Sequence, residues 1–180
     1  MELLSGGRGM VLAAPWCCAS VSPVLVSRDV SGTLGVAPVS ADPAWSPTAL
    51  ARDDAYQRFY SLGLQNADPT LRAIRPDGTA DSAFGAGGTG RVSLAASTAQ
   101  GRLWVDEGGA VLAVLARPAP ASQDLAQKAA VRAEVAIEGW TRAGLPDPRI
   151  AGDNVASLSG PVGRSTAQVV AVTRADPGFA

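Results

Sequence analysis

The stretch SQDLAQKAAVRAEVAIEGWTRAGL, residues 122–145, decides how the rest of the chain is read. Ser122 can accept the first free amides of a helix. Gln123 and Asp124 then place polar and anionic groups in the first turn, where the backbone dipole favours them. Leu125, Ala129, Ala133, Ala136, Trp140 and Ala143 recur at helical spacing and trace one apolar stripe. Gly144 stands where a helix can end on a left-handed residue, and Leu145 follows in position to touch Trp140. Pro146 and Pro148 bar continuation. The pattern predicts a helix over 122–143.

Strand signals flank it. Residues 91–96, 102–106 and 110–117 carry β-forming runs, and Asp106-Glu107-Gly108-Gly109 reads as a hairpin connection between the last two. Val111 to Leu115 is continuously apolar, the pattern of a central strand covered on both faces. Beyond the helix, Arg149–Leu158 and Ser165–Arg174 read as strands joined by the turn Ser159–Gly163. The C-terminal half therefore reads β-β-α-β-β.

Upstream, a second helix is expected over 47–62. Ser46 is its cap and Pro47 its first residue. Leu50, Ala55, Phe59 and Leu62 form one face, Asp53, Asp54, Gln57 and Arg58 the other, and Gly63 the stop. Residues 70–84 read as a small hairpin around the turn Arg75-Pro76-Asp77-Gly78. The expected fold class is α+β: a mostly antiparallel sheet with one long helix in the C-terminal half and an extended N-terminal arm. The expected organisation is an apolar arm and linker over 1–45, then an α+β domain over 46–180.

Composition narrows the chemistry. The chain has 180 residues, 47% of them apolar and 17% charged, enough to bury a full core. Histidine is absent, which removes Ser-His-Asp and Cys-His nucleophiles and histidine-ligated zinc. Fifteen cations stand against sixteen carboxylates without a basic cluster, so no nucleic-acid partner is expected. The apolar stretch 10–26 is broken by Pro15, Trp16 and Pro23 and is too short to span a bilayer. No membrane partner is expected either.

The motifs that resemble reactive sites have simpler readings. Gly85-x-Gly87-x-x-Gly90 matches a dinucleotide fingerprint, but a strand rather than a helix follows it. Asp53/Asp54 and Asp106/Glu107 are neighbours in sequence and do not face each other as an acid–base pair must. Lys128, the single lysine, sits on the polar side of the expected helix. No catalytic residue, cofactor or metal ligand is expected, and the chain reads as a non-enzyme. Cys17 and Cys18 are adjacent and cannot staple a loop. They read as free thiols near an interfacial segment, or as one end of an intermolecular disulfide. The arm supplies the expected partner-binding residues Trp16, Cys17, Cys18, Val24 and Leu25, with Trp45 at its end.

Arg102-Leu103-Trp104, the Ala-rich segment Leu125 to Trp140, and Ile150 to Arg174 resemble the C-terminal part of the small baseplate assembly proteins of Mu-like contractile-tailed phages. The extra strand Ala110–Arg117 departs from that pattern. Separately, Arg75-Pro76-Asp77-Gly78 through Phe84-Gly85-Ala86-Gly87-Gly88 resembles one unit of a repeat of bacterial surface proteins, and it is recognised once in the sequence. The first resemblance implies a structural subunit of a virion or phage-tail-like particle, in its tail, neck or baseplate. Such a subunit is assembled in the host cytoplasm as a homo- or hetero-oligomer with other proteins of the same particle. The alternative is an exported envelope or binding protein, secreted or periplasmic, motivated by the apolar segment after Arg8.

Overall fold

The computed structural model describes residues 2–3, 8–13, 22–28, 33–38, 44–95, 99–117, 132–150 and 155–161. These residues form an antiparallel β protein of three sheets. The first contains β1 (Glu2–Leu3), β2 (Arg8–Ala13), β3 (Ser22–Arg28) and β4 (Leu34–Pro38). The second contains β5 (Trp45–Asp53), β6 (Arg58–Gln65), β7 (Asp68–Ile74) and β8 (Arg91–Ser93). The third contains β9 (Gly101–Val105), β10 (Val111–Arg117), β11 (Arg132–Trp140) and β12 (Val155–Pro161). Every sheet is a four-stranded meander in which each strand pairs with its sequence neighbour. This is the unit from which propellers and related repeat folds are built.

The α+β expectation is overturned. Among the described residues the only helical element is the 3-10 turn Ala86–Gly88. The segment expected as helix 47–62 is β5, a turn and β6. Along β5 alternate residues from Trp45 to Asp53 point inward, the period of a strand. Pro47 lies in this edge strand, where a missing amide is tolerated, and the register shifts between Pro47 and Ala49. Gln57, at a φ of 49°, reverses the chain into β6. The expected long helix fails too. Its C-terminal part is strand β11, paired along its length with β10 and β12, and residues 118–131 lie outside the described set.

The ambiguity has a physical source. Alanine fits helix and strand alike, so the stripe through Ala136 and Trp140 coexists with a period-2 pattern. Ala136, Glu138 and Trp140 are the buried side chains, with half-buried Val135 and Ile137 opposite. The inward Glu138 disguised that alternation, and its carboxylate accepts the Ala95 amide at 2.9 Å. β-Branched Val135 and Ile137 favour the strand. The extended arm is overturned as well: β1 to β4 pair with one another, from Glu2↔Met10 to Val24↔Pro38. Trp45, the end of the expected arm, opens β5. Of the expected final strands, β12 covers Val155–Pro161, and 165–174 lies outside the described residues.

The core lies between the second and third sheets. Tyr60, Leu62, Leu71 and Phe84 from one side meet Val111, Leu115, Ala136 and Trp140 from the other. Tyr60 and Phe84 pack edge to face with centroids 5.5 Å apart. β6 is buried on both faces from Arg58 to Gly63. β10 is buried at Val111, Ala113 and Leu115 and half-buried between them, so it is less covered than its sequence predicts.

The second and third sheets are built alike. In the second, Ile74 bridges Ala80, Gly78 donates to the Arg75 carbonyl, the Asp81 amide donates to Ala73, and Phe84 donates to Asp81. In the third, 66 residues further on, Trp140 bridges Pro146. Gly144 donates to Thr141, Asp147 to Gly139 and Ile150 to Asp147. Asp81 and Asp147 each accept the amide two residues on, at 3.1 and 3.0 Å. The unit seen once in the sequence thus occurs twice in the structure. The link between the second and third strands differs in length. It is Asn66-Ala67 in one sheet and residues 118–131 in the other, yet the strand pairing ends equivalently at Phe59↔Ile74 and Val111↔Trp140.

Candidate functional site

The buried charged residues Asp53, Arg58, Asp81 and Asp147 lie where the turns of the second and third sheets meet. Phe59 and Val111 occupy matching positions, because each faces the residue that opens the repeated turn. Arg52 and Val105 lie opposite them, so the residues that follow, Asp53 and Asp106, also match. Each caps its own hairpin. Asp53 Oδ1 accepts the Tyr56 amide at 3.1 Å, and Asp106 Oδ1 accepts the Ala110 amide at 2.8 Å.

Arg58 is the centre of the second sheet's cluster. It is 8% exposed and stands 3.3 Å from Asp81 Oδ2. Half-exposed Arg75 approaches the other oxygen of Asp81 at 3.4 Å. Arg58 Nη1 also donates to the Arg142 carbonyl of the third sheet at 3.1 Å. The Arg142 guanidinium lies 3.9 Å from the centroid of the Tyr56 ring, a stacking of cation on aromatic face. The Gly85 amide donates to Ala143 at 2.9 Å. Gly144, at a φ of 77°, presses on Phe84 and Gly85, and a methyl placed on it would stand 2.5 Å from the Gly85 nitrogen. Only glycine combines that conformation with that approach. The repeated turn of the third sheet is therefore plugged into the repeated turn of the second.

The electrostatics fit a structural cluster. Burial pushes the Asp53 carboxyl above the usual carboxylate range, against the pull of Arg58. Its Oδ2 is buried without a hydrogen-bond partner. Burial raises the Tyr60 hydroxyl to about 12, so it stays protonated. In the third sheet Asp147 is held low, chiefly by the Arg149 guanidinium, which binds both its oxygens and reaches Asp106 at 2.9 Å. Arg149 is raised in turn. Asp81, Asp106 and Asp147 are each paired with an arginine, and among the described residues no three His, Cys, Asp or Glu side chains converge as metal ligands.

Beside Arg149 lies a shallow open cleft of about 540 Å³, lined by Asp106, Gly108, Ala110, Thr141, Ala143 and Asp147 among others. Ala110 is the counterpart of Arg58, since each immediately precedes the matched pair Val111 and Phe59. The cleft is open because this sheet has Gly108 and Ala110 where the second sheet has Tyr56 and Arg58.

Of the residues expected to bind a partner, Trp16, Cys17 and Cys18 lie outside the described set. Val24 and Leu25 are in β3, Val24 half-buried and Leu25 opposite Met10 and Ala37. Trp45 is 6% exposed, with Arg72 stacked 4.4 Å from its ring centroid, so its own chain covers it. The glycine run Gly85–Gly90 forms the 3-10 turn leading into β8, with no long helix to cradle a phosphate. Asp53 is buried and Asp54 exposed, and Asp106 is half-buried and Glu107 exposed, so neither neighbouring pair converges. Reasoning from sequence missed Arg58, Asp81, Gly144 and Asp147. The signal for three of them is the shared spacing Gly78-x-x-Asp81-x-x-Phe84 and Gly144-x-x-Asp147-x-x-Ile150. Among the described residues no helix is long and apolar enough to cross a membrane. No family model, no curated protein and no solved structure matches the chain.

Proposed function

We propose that this chain is a non-catalytic scaffold of repeated four-stranded β units, working by binding other proteins in a bacterial surface or envelope assembly. The observation that carries the reading is the plugging of one repeated turn into the next, through Gly144 on Gly85 and Arg58 on the Arg142 carbonyl. Of the charges buried there, Arg58 reaches across to the third sheet through the Arg142 carbonyl while paired with Asp81. Repeat proteins of this kind present extended surfaces for partners. The stretch Arg75–Gly88 supports the envelope setting, since it resembles a surface-protein repeat and has a structural counterpart at 141–150. β4, the last strand of the first sheet in order, carries Val36 at 69% exposure and suits pairing with a strand of a partner.

A second reading, a subunit of a virion or tail-like particle, uses the same mechanism of assembly. The N-terminal apolar strands favour it, whereas the helix on which the baseplate resemblance drew is replaced by β11 over Arg132–Trp140. The test is chemical cross-linking of the full chain in the producing cell, with identification of the attached proteins and of their compartment. Reproducible adducts to one or a few envelope proteins support the proposal. Adducts to particle proteins transfer it to the second reading. A chain free of adducts that turns over a substrate overturns both.

A further inference from the structure

Asp77 is the one aspartate of the sequence that a glycine follows. The fold requires that glycine. Gly78 takes a φ of 86° to close the turn after β7, a conformation glycine adopts without penalty. Its amide donates to the Arg75 carbonyl at 2.9 Å, the Arg75 amide donates to the Thr79 carbonyl at 2.8 Å, and Ile74 bridges Ala80. The same residue creates a chemical liability, because no side chain on Gly78 hinders its nitrogen from approaching the carboxyl carbon of Asp77. In that reaction the Gly78 nitrogen bonds to Asp77 Cγ and gives up its hydrogen. A carboxyl oxygen leaves as water, and a cyclic succinimide closes. Water then reopens the ring at either carbonyl. One opening restores aspartate. The other leaves isoaspartate, with the chain routed through Cβ and Cγ. The net change is an isomerisation, and water is its only co-reactant.

The folded turn opposes these steps. Asp77 is exposed, so burial does not protect it. Thr79 does. The Thr79 hydroxyl donates to Asp77 Oδ1 at 2.7 Å, and the Thr79 amide donates to the same oxygen at 2.9 Å. These two bonds fix the carboxyl on residue 79. The hydroxyl first, and the amide after it, also hold the carboxyl below the usual carboxylate range. It therefore stays ionised, and a carboxylate is a poorer electrophile than a carboxylic acid. Meanwhile the hydrogen that Gly78 must give up is engaged by the Arg75 carbonyl. The repeated turn of the third sheet has Ala143 before Gly144 where the second has Asp77 before Gly78, so of the two turns only the second sheet's can isomerise.

We infer that Asp77–Gly78 is the site at which this chain forms isoaspartate, and that Thr79 is the latch that prevents it while the turn is folded. Local opening of the turn releases the reaction. The extra backbone carbon then lengthens the path from Arg75 to Thr79 and breaks the bonds that close the turn. The inference goes beyond the scaffold reading and stands whether or not that reading holds.

The test ages the full chain at neutral pH and physiological temperature. Isoaspartate is located by peptide mapping with electron-transfer fragmentation and quantified with an isoaspartyl methyltransferase and a labelled methyl donor. Isoaspartate at position 77 should accumulate at least about tenfold more slowly in the folded parent than in the same chain held unfolded in urea, since two hydrogen bonds to the carboxyl must break first. Thr79→Val removes the hydroxyl and keeps the amide. It should speed the reaction about fivefold, the share of one hydrogen bond, with the melting temperature unchanged. Thr79→Ser keeps both donors and should age as the parent does. A folded parent that isomerises as fast as the unfolded chain, a Thr79→Val rate equal to the parent's, or isoaspartate arising chiefly at another residue would overturn the inference. If Thr79→Val does not fold, the comparison of folded with unfolded parent decides.

Discussion

Replacing Asp81 by alanine should destabilise the protein far more than the same change at Asp147, although the two aspartates cap identical turns. Each accepts the amide two residues on, so the loss of that bond is common to both. The difference lies in the arginine left behind. The side chains of Arg58 and Asp81 are both 9% exposed, so Asp81→Ala leaves a cation inside the protein with Arg58 Nε already unsatisfied. An uncompensated buried charge of this kind costs about 3–5 kcal/mol. Arg149 is 63% exposed at its side chain, and water replaces Asp147 around it. At Asp147 no buried cation is orphaned, so the loss should be the smaller of the two, about 1–2 kcal/mol from its hydrogen bonds. The gap of about 2 kcal/mol corresponds to roughly a 30-fold difference in unfolding constant. Urea denaturation at matched m-values reads it directly. Pairing Asp81→Ala with Arg58→Leu should recover part of the loss, because the orphaned charge is gone. Equal losses for the two single variants, or no recovery in the double variant, would refute the assignment of Arg58–Asp81 as a buried ion pair that holds Arg58 against the third sheet.

Gly144→Ala should cost about 2–5 kcal/mol, summing a left-handed conformation and the collision with Gly85, measured as a lowered denaturation midpoint. Ala67→Gly should act in the opposite direction, by about 1 kcal/mol, because Asn66 and Ala67 occupy positive φ of 50° and 73° in the β6–β7 turn, where Asn-Gly is the preferred pair. Asp53 carries a raised pKa, so its contribution is fully present below the unfolded carboxylate pKa and is lost as pH rises through the folded one. Asp53→Asn should therefore raise the melting temperature at neutral pH, with the gain vanishing on acidification below the carboxylate range; a gain independent of pH would contradict the burial of this carboxyl.

The parts of the fold legible in the sequence were those whose chemistry is local. Arg75-Pro76-Asp77-Gly78 forms its expected turn, with Gly78 at a φ of 86° and donating to the Arg75 carbonyl. Asp106 to Gly109 forms its hairpin, and the strand signals at 91–96, 102–106 and 110–117 correspond to β8, β9 and β10 within a few residues. What failed depended on context. The Ala-rich run through Ala136 fits two periods at once, and pairing with β10 and β12 decides between them only after the chain has folded. Pro47 serves a helix start or an edge strand equally well by composition. The repeat escaped notice because residues 73–84 and 139–150 share only Gly78/Gly144 and Asp81/Asp147. Backbone hydrogen bonds carry the rest of that similarity, and they leave no mark on residue identity. Arg58 joins the cluster across 23 residues of chain to Asp81 and 84 to Arg142, distances at which no local pattern operates.

The link between the second and third strands of a unit has a practical consequence. One unit closes it with two residues and the other with fourteen, and the strands end in the same register either way. That apex tolerates lengthening, since each doubling of a loop costs only about 0.6 kcal/mol in closure entropy. Foreign peptides, epitopes or labels spliced between Asn66 and Ala67 should be displayed there without disturbing the sheets beneath, which makes the short loop a natural graft point in an otherwise tightly tied molecule.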